Sequence, residues 1–238
     1  MDEKKFGNVL TFILIVLIVV IFGILGYFGY SAYSKSKTQA NTDNALQDFQ
    51  QTISKPVEKE DDTTGGEDVA DTNTNIENPL DKLNSAENNN NSNDGSNNTN
   101  TNTNKTYMED YEVIGSIKIP KTKLEIPILD RVTKRSLELS VAKFDGPGLN
   151  QEGNTTIMGH NYRNGLFFSN NKNLSIGDKI YITDQTGTTI TYIIYNMYET
   201  DPNEATYMRR DTNGKREISL STCNNDSSMR LVIWAAEE

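Results

Sequence analysis

An uncharged apolar tract near the N-terminus, VLTFILIVLIVVIFGILGYF at residues 9–28, constrains this chain more than any other feature. About 20 apolar residues at a helical rise of about 1.5 Å cover the roughly 30 Å hydrocarbon core of a bilayer. A cleavable signal peptide has a shorter apolar region, of about 7–15 residues, and a small-x-small cleavage site. The sequence YSAY at residues 30–33 is a poor cleavage site. We therefore predict a retained transmembrane helix over residues 9–30.

Lysines flank this tract on both sides, so charge alone does not set its orientation. Lys4 and Lys5 precede it, and Lys35 and Lys37 follow it, which leaves the positive-inside bias almost balanced. A short tail before a single helix, with the rest of the chain downstream, favours a cytoplasmic N-terminal tail at residues 1–8.

The segment at residues 31–108 is rich in Asn, Asp, Thr, Glu and Ser and poor in aromatic residues. Such a composition buries too little apolar surface to offset its conformational entropy. We predict a disordered linker here, either a spacer that lifts a domain off the membrane or a low-complexity insertion under little constraint. Because this linker offers no apolar face, we expect residues 109–238 to fold without it.

From residue 109 onward, short apolar runs alternate with turn residues over a length normal for one domain. The alternation predicts strands, and residues 133–141 predict a short helix. Many short strands with little helix favour a mostly β fold, a closed or nearly closed antiparallel barrel, over alternating β-α units. The predicted strands cover residues 113–119, 124–129, 155–158, 179–183, 188–198, 217–222 and 230–234.

The net charge of −10 lies mostly outside this region, since residues 109–238 carry 18 acidic and 15 basic side chains. Nucleic-acid binding would require a clustered basic patch. The charge distribution therefore gives no support for a nucleic-acid partner.

The chain contains one cysteine, Cys223, and one histidine, His160. One cysteine excludes an internal disulfide, so the thiol is free and is either reactive or part of the core. Both residues follow predicted strands, where a rigid scaffold presents side chains to a substrate. An imidazole beside a cysteine stabilises the thiolate and can protonate a leaving amine. A buried cysteine with an unrelated surface histidine is the alternative.

Arg230 begins the strand that follows Cys223, after the loop NNDSSM at residues 224–229. If the two strands pair as a hairpin, Cys223 and Arg230 face each other across it. A guanidinium there stabilises negative charge on a thiolate or on the oxyanion of acyl transfer. The alternative is a solvated arginine at a strand end.

Four short motifs follow one another along the chain: NTTIMGHN, GLFFS, IGDKI, and SLSTC with Arg230 seven residues after its cysteine. Their order and spacing resemble the sortase family of cysteine transpeptidases, the first three its histidine region and the last its Leu-x-Thr-Cys…Arg signature. The resemblance covers about residues 112–236. The four motifs lie at residues 154–161, 165–169, 176–180 and 219–223.

The resemblance implies an eight-stranded closed β-barrel outside a Gram-positive cell, held by the membrane helix. It implies cleavage of surface proteins at a C-terminal sorting signal resembling Leu-Pro-x-Thr-Gly. By the matching positions, Cys223 attacks the threonine carbonyl to form a thioacyl enzyme, His160 protonates the leaving glycine amine, and Arg230 holds the substrate or its oxyanion. An amine of a peptidoglycan precursor or of a pilin then resolves the acyl enzyme.

The resemblance also implies substrate contacts near these residues and in the loop DPNEATYMRR at residues 201–210. This loop lacks the long helix of typical class B sortases, although the motifs around Cys223 and His160 are class B-like, so the class stays open. The candidate substrate-binding residues are Asn161, Glu204, Ala205, Thr206, Tyr207, Ser221 and Thr222.

No cofactor is expected. Asp201 and Glu204 are candidate calcium ligands, as in some sortases, but calcium takes about six to eight oxygens, and no run with ligand spacing surrounds them. We favour a solvated loop and chemistry without a metal.

Two other functions use the same residues. A cysteine hydrolase or a different cell-wall transpeptidase would employ the same thiol, although an L,D-transpeptidase would carry a Ser-His-Gly-Cys motif. A membrane-tethered binding domain would bury the cysteine as core. Alkylation of Cys223 under native conditions, and its dependence on His160, separates these functions.

Overall fold

The computed structural model describes residues 3–54 and 105–238, and the chain forms two compact units, residues 1–41 and 42–238. The first unit is the larger part of helix α1 (Glu3–Ser54). Its large apolar side chains from Phe12 to Phe28 are exposed. With a mean hydropathy of 2.9 in its most apolar window, α1 is long and apolar enough to cross a membrane. This agrees with the predicted transmembrane segment.

The last part of α1 belongs to the second unit and packs on the strands. Ala45, Phe49 and Ile53 recur every four residues, so they share one helical face, and Phe49 is only 2% exposed. Thr52 and Thr106 share a hydrogen bond at 3.1 Å. The other members of the apolar cluster that includes this face are Met108, Tyr111, Val113, Leu129, Val132, Leu137, Leu139 and Ala142.

This packing corrects part of the domain prediction. Residues 31–54, assigned to a disordered linker, are helical, and the segment does offer an apolar face to the barrel. Three apolar residues among many polar ones are a weak signal in the sequence, because they bury little surface until a partner covers them. The rest of the predicted linker, residues 55–104, lies outside the described residues.

Besides the end of α1, the described residues of the second unit form nine strands, one short α-helix, α2 (Lys134–Leu139), and three 3-10 helices (Pro120–Thr122, Phe168–Asn173 and Thr206–Met208). Thr133 caps α2, since its side chain accepts a hydrogen bond from the Ser136 N–H and its own N–H donates to the Ser136 hydroxyl. The strands are β1 (Tyr107–Met108), β2 (Tyr111–Ile119), β3 (Leu124–Leu129), β4 (Val141–Asp145), β5 (Gly153–Met158), β6 (Lys179–Asp184), β7 (Thr189–Thr200), β8 (Arg216–Cys223) and β9 (Arg230–Glu237).

Eight of these strands close into a barrel, and β1 adds a short hairpin to β2. The order around the barrel is β2-β3-β4-β5-β8-β9-β7-β6, and β6 pairs back with β2. The predicted mostly β, eight-stranded closed barrel is confirmed. Its purely antiparallel character is corrected, because β3–β4 and β5–β8 are parallel pairs. Parallel neighbours need crossover connections, which α2 supplies for the first pair and β6 and β7 supply for the second.

All seven predicted strands and the predicted helix are present, with ends shifted by a few residues. Two strands were not predicted: β1, which is two residues long, and β4, whose first residue, Val141, was assigned to the preceding helix. The barrel interior is filled mainly by β-branched and aliphatic side chains, including Ile117, Ile157 and Ile182, each fully buried. Such residues favour pleated, buried strands.

Candidate active site

The parallel pairing of β5 with β8 brings His160 to the end of the strand that carries Cys223. Met158 is in register with Ser221, and the Gly159 N–H donates to the Ser221 carbonyl at 3.2 Å. His160 follows Gly159 directly, and Cys223 is the last residue of β8. Residues that are about 60 positions apart in the chain therefore meet at one end of the barrel.

The antiparallel pairing of β8 with β9 brings in Arg230. Cys223 and Arg230 are direct cross-strand partners, which is the hairpin arrangement that the sequence analysis proposed. Opposite residues of an antiparallel pair have side chains on the same face. The three predicted catalytic residues are thus gathered by two strand pairings.

Cys223 lies on the outer face of the barrel. Side chains alternate along a strand, and Leu220 belongs to the interior core, so Ser219, Ser221 and Cys223 project outward. The thiol is partly exposed. A partly exposed thiol on the outer face is a better candidate for a nucleophile than for a core residue.

Gly159 makes room for the turn that leads into His160. A Cβ at this position would lie 2.6 Å from Val141 Cγ1 and 2.8 Å from Phe168 Cδ2, closer than side chains tolerate. The Phe168 N–H donates to the His160 carbonyl at 3.1 Å, and the His160 ring lies 4.8 Å from the Tyr162 ring between centroids. The backbone and the ring of His160 are both held by their own loop.

Three influences act on the His160 imidazole. Burial lowers the pKa of His160, the carboxylate of Glu138 raises it, and the positive charge of Arg230 lowers it again, with a net lowering. An unperturbed histidine, with a pKa of about 6.5, is already mostly neutral at pH 7. Because the pKa of His160 is lowered, its imidazole is also mostly neutral at this pH.

The guanidinium of Arg230 is held by a hydrogen bond on one side only. Its Nε donates to the Pro202 carbonyl at 3.2 Å. Within the described part of the chain, neither of its Nη nitrogens donates to a protein acceptor. Two donors in a fixed planar fork thus remain beside Cys223, the arrangement that suits a carbonyl or an oxyanion.

The loop at residues 201–210 covers the outer face of β5 and β8 beside the site. Asn154 Nδ2 donates to the carbonyls of Tyr207 and Met208 at 3.2 and 2.8 Å. The Tyr207 hydroxyl and Ser221 Oγ share a hydrogen bond at 3.0 Å, and Tyr207 is 1% exposed. The loop is therefore anchored to the barrel by buried polar contacts.

The predicted substrate-binding residues divide into two groups. Asn161, Glu204, Ala205 and Thr206 are partly or fully exposed near the site, whereas Tyr207, Ser221 and Thr222 are buried. Glu204 Oε1 accepts from the Thr206 N–H at 2.6 Å. Hydrogen bonds from the Thr206 side chain and backbone lower the pKa of Glu204.

The two candidate calcium ligands of this loop, Asp201 and Glu204, accept hydrogen bonds from backbone N–H groups of the loop itself. Asp201 Oδ1 accepts from the Asn203 N–H at 2.8 Å, much as Glu204 accepts from Thr206. Across residues 3–54 and 105–238, no group of three or more His, Cys, Asp or Glu side chains is gathered for a metal ion. The absence of a metal cofactor stays a prediction.

Three residues near the site were not singled out from the sequence. Glu138 acts on His160 through its charge, Asn154 anchors the neighbouring loop, and Arg163 donates from Nη2 to Ser227 Oγ at 2.8 Å. For Asn154, an asparagine directly before a predicted strand could have indicated a structural hydrogen bond. The roles of Glu138 and Arg163 could not be predicted from the local sequence, because their partners are distant in the chain.

Comparisons with known proteins agree with the motifs. A family model described as the sortase domain matches residues 117–238. Sortase A of Bacillus anthracis is 33% identical over 129 residues, which make up 53% of this chain and 60% of that protein. The chain thus spans less than two-thirds of the length of this relative.

The solved structures similar to this chain include two bacterial sortases. Sortase C-1 from Actinomyces oris is 24% identical, with a TM-score of 0.49 over 54% of this chain and 74% of that chain. A sortase D5 transpeptidase of Clostridium perfringens is 26% identical, with a TM-score of 0.47 over 52% and 78%, respectively.

Proposed function

The chain belongs to the sortase family, and from this premise we propose that it is a membrane-anchored cysteine transpeptidase that acts on surface proteins. Its substrate is a C-terminal sorting signal resembling Leu-Pro-x-Thr-Gly. It transfers the acyl group, by way of a thioacyl enzyme, to an amine of a peptidoglycan precursor or of a pilin.

One observation carries this proposal. The β5–β8 and β8–β9 pairings put His160, Cys223 and Arg230 at the same end of the barrel, on or beside its outer face. A nucleophile, a proton carrier and a cation for developing negative charge are the groups that acyl transfer requires.

In the first half of the reaction, Cys223 Sγ attacks the carbonyl carbon of the threonine in the signal. The lowered pKa of His160 leaves a neutral imidazole that can accept the thiol proton. The Nη donors of Arg230 stabilise the oxyanion of the tetrahedral intermediate. When the C–N bond breaks, the imidazolium gives its proton to the leaving amine, a transfer favoured by the nearby positive charge of Arg230.

The second half runs the same steps in reverse with another amine. The incoming amine attacks the thioester carbonyl, His160 accepts the proton of this amine, and the Cys223 thiol departs with a proton from the imidazolium. If water takes the place of the amine, the thioester is hydrolysed, so we expect slow peptide hydrolysis in the absence of an acceptor.

The location follows from α1. We infer that residues 9–30 anchor the enzyme in the cell membrane as a single span, with residues 1–8 in the cytoplasm and the barrel on the extracellular side. In this arrangement the catalytic domain meets surface proteins and cell-wall precursors as they leave the membrane.

The test uses the full-length protein in detergent with a fluorogenic Leu-Pro-x-Thr-Gly peptide and triglycine as the acceptor amine. We expect an acyl enzyme on Cys223, seen as a mass increase equal to the acyl fragment, and ligated product when triglycine is added. Cys223→Ala is the control and should form neither. Peptides with related sorting signals are tested in parallel, because the preferred signal can differ from Leu-Pro-x-Thr-Gly. If none of these peptides acylated Cys223, the proposal would be refuted.

A further inference from the structure

A side chain, rather than the backbone, continues the β5–β8 ladder next to the thiol. After the Gly159 N–H donates to the Ser221 carbonyl, the backbone of Asn161 turns away and forms a bridge with Phe167. Asn161 Nδ2 nevertheless donates to the Cys223 carbonyl at 3.0 Å. The two donors are two residues apart, as are the two acceptors, which is the spacing of a parallel ladder. The Asn161 amide therefore stands in for the next backbone N–H.

The other end of this amide is also engaged. Asn161 Oδ1 accepts from the Arg163 N–H at 3.1 Å, which fixes the orientation of the amide plane. Arg163 Nη2 donates to Ser227 Oγ at 2.8 Å, in the loop between β8 and β9. The loop after β5 thus holds both the carbonyl of Cys223 and the segment that follows it.

His160 lies between the two contacts with β8. Gly159 is anchored on one side of it and Asn161 on the other, so the Cα of His160 is fixed relative to the end of β8. A displacement of about 1 Å between reacting groups can lower a rate by about 100-fold. The relative placement of the imidazole and the thiol therefore depends on the Asn161 contact.

We propose that Asn161 is a positioning residue that holds Cys223 in line with His160, and that it does not bind the sorting signal. One N–H of its amide donates to Cys223 and its oxygen accepts from Arg163, so both ends of the amide are held by the protein. The expected effect of Asn161 on peptide turnover rests on the proposed function. Its effect on the alignment of the thiol and the imidazole does not.

The experiment measures alkylation of the thiol by iodoacetamide, without any peptide, in the full-length protein. Cys223 is the only cysteine, so alkylation reports on it alone. The variants are Asn161→Ala, His160→Ala and the double substitution, across a pH series. We expect Asn161→Ala to slow alkylation and to displace its pH profile toward that of His160→Ala. In the His160→Ala background the same change should add little, because no imidazole is left to align.

Peptide turnover supplies a second readout. We expect Asn161→Ala to lower kcat by about 10–100-fold with KM nearly unchanged. Asn161→Gln keeps the amide but moves the donor by one methylene, so its effect should be intermediate. It also keeps the test informative if Asn161→Ala fails to fold. Asn225→Ala, an exposed amide of the next loop, is the matched control and should behave as wild type.

The outcomes separate the two proposals. A raised KM with unchanged alkylation would make Asn161 a substrate contact and overturn the positioning role. If Asn161→Ala instead lowered only the melting temperature, with alkylation depending on His160 as it does in wild type, Asn161 would have a purely structural role. This result would also overturn the positioning role. A third outcome is that none of the signal peptides acylates wild-type Cys223, although the effect of Asn161→Ala on alkylation still depends on His160. The positioning role would then stand, and the proposed function would fail.

Discussion

The two faces of β8 have different compositions and different tasks. Ile218 and Leu220 point into the barrel and are fully buried in its apolar core, whereas Ser219, Ser221 and Cys223 point outward. Ser219 Oγ donates to Asn154 Oδ1 at 3.0 Å, and Ser221 bonds with Tyr207 at 3.0 Å. One face supplies the burial that stabilises the fold, and the other holds the loop and the nucleophile.

From this difference we expect stability and chemistry to be separable along one strand. Because side chains alternate, a substitution on one face leaves the other face in place. Substitutions on one face, or in the loop that this face holds, should therefore affect mainly the property that this face supports.

The largest effect is expected for Cys223→Ser on the outer face. Serine is a far weaker nucleophile than a thiolate, so kcat/KM should fall by at least about 1,000-fold. The free energy of unfolding should change by less than about 0.5 kcal/mol, since the thiol is partly exposed. Peptide turnover and urea unfolding measure the two quantities. A large loss of stability with activity retained would mean that the thiol is core packing.

On the inner face, Leu220→Ala should do the opposite. It removes a fully buried side chain, which costs about 2–5 kcal/mol of unfolding free energy depending on how far the cavity collapses. Turnover per folded molecule, with the folded fraction taken from the unfolding curve, should stay near that of wild type. If turnover per folded molecule fell as steeply as with Cys223→Ser, the two faces would not be separable.

A smaller effect is expected for Tyr207→Phe, which tests how the loop is anchored on the outer face. Removing the hydroxyl leaves buried Ser221 Oγ without its partner, at a cost of about 1–3 kcal/mol. Combining it with Ser221→Ala should restore much of the stability, because both polar groups are then gone. Denaturant unfolding of the four proteins of this cycle gives the coupling. Additive losses would show that the bond contributes nothing.

The smallest effect is expected for Thr222→Val on the inner face. Thr222 is 2% exposed, and its Oγ1 has no hydrogen-bond partner within the described residues. Valine has nearly the same shape and no hydroxyl to desolvate, so stability should be unchanged or should rise by up to about 1 kcal/mol. Turnover should be unchanged as well. A raised KM for the peptide would instead support the prediction that Thr222 contacts the substrate.

The sequence alone determined the local features of this protein. The alternation of apolar residues predicted seven strands, and the single cysteine and histidine, with Arg230, marked the candidate site. The apolar tract marked the helix that can span a membrane. Each of these depends on side chains that are close in the sequence, where periodicity and spacing carry the information.

Only the tertiary structure decided what depends on distant residues. The parallel partner of β5 is a strand more than 60 positions away, and nothing in either strand specifies that neighbour until the barrel closes. The polar end of α1 docks through Phe49 because the barrel covers it. Asn161 meets the Cys223 carbonyl for the same reason. Such contacts become favourable only after the loops between them are closed, at an entropic cost that no local pattern records.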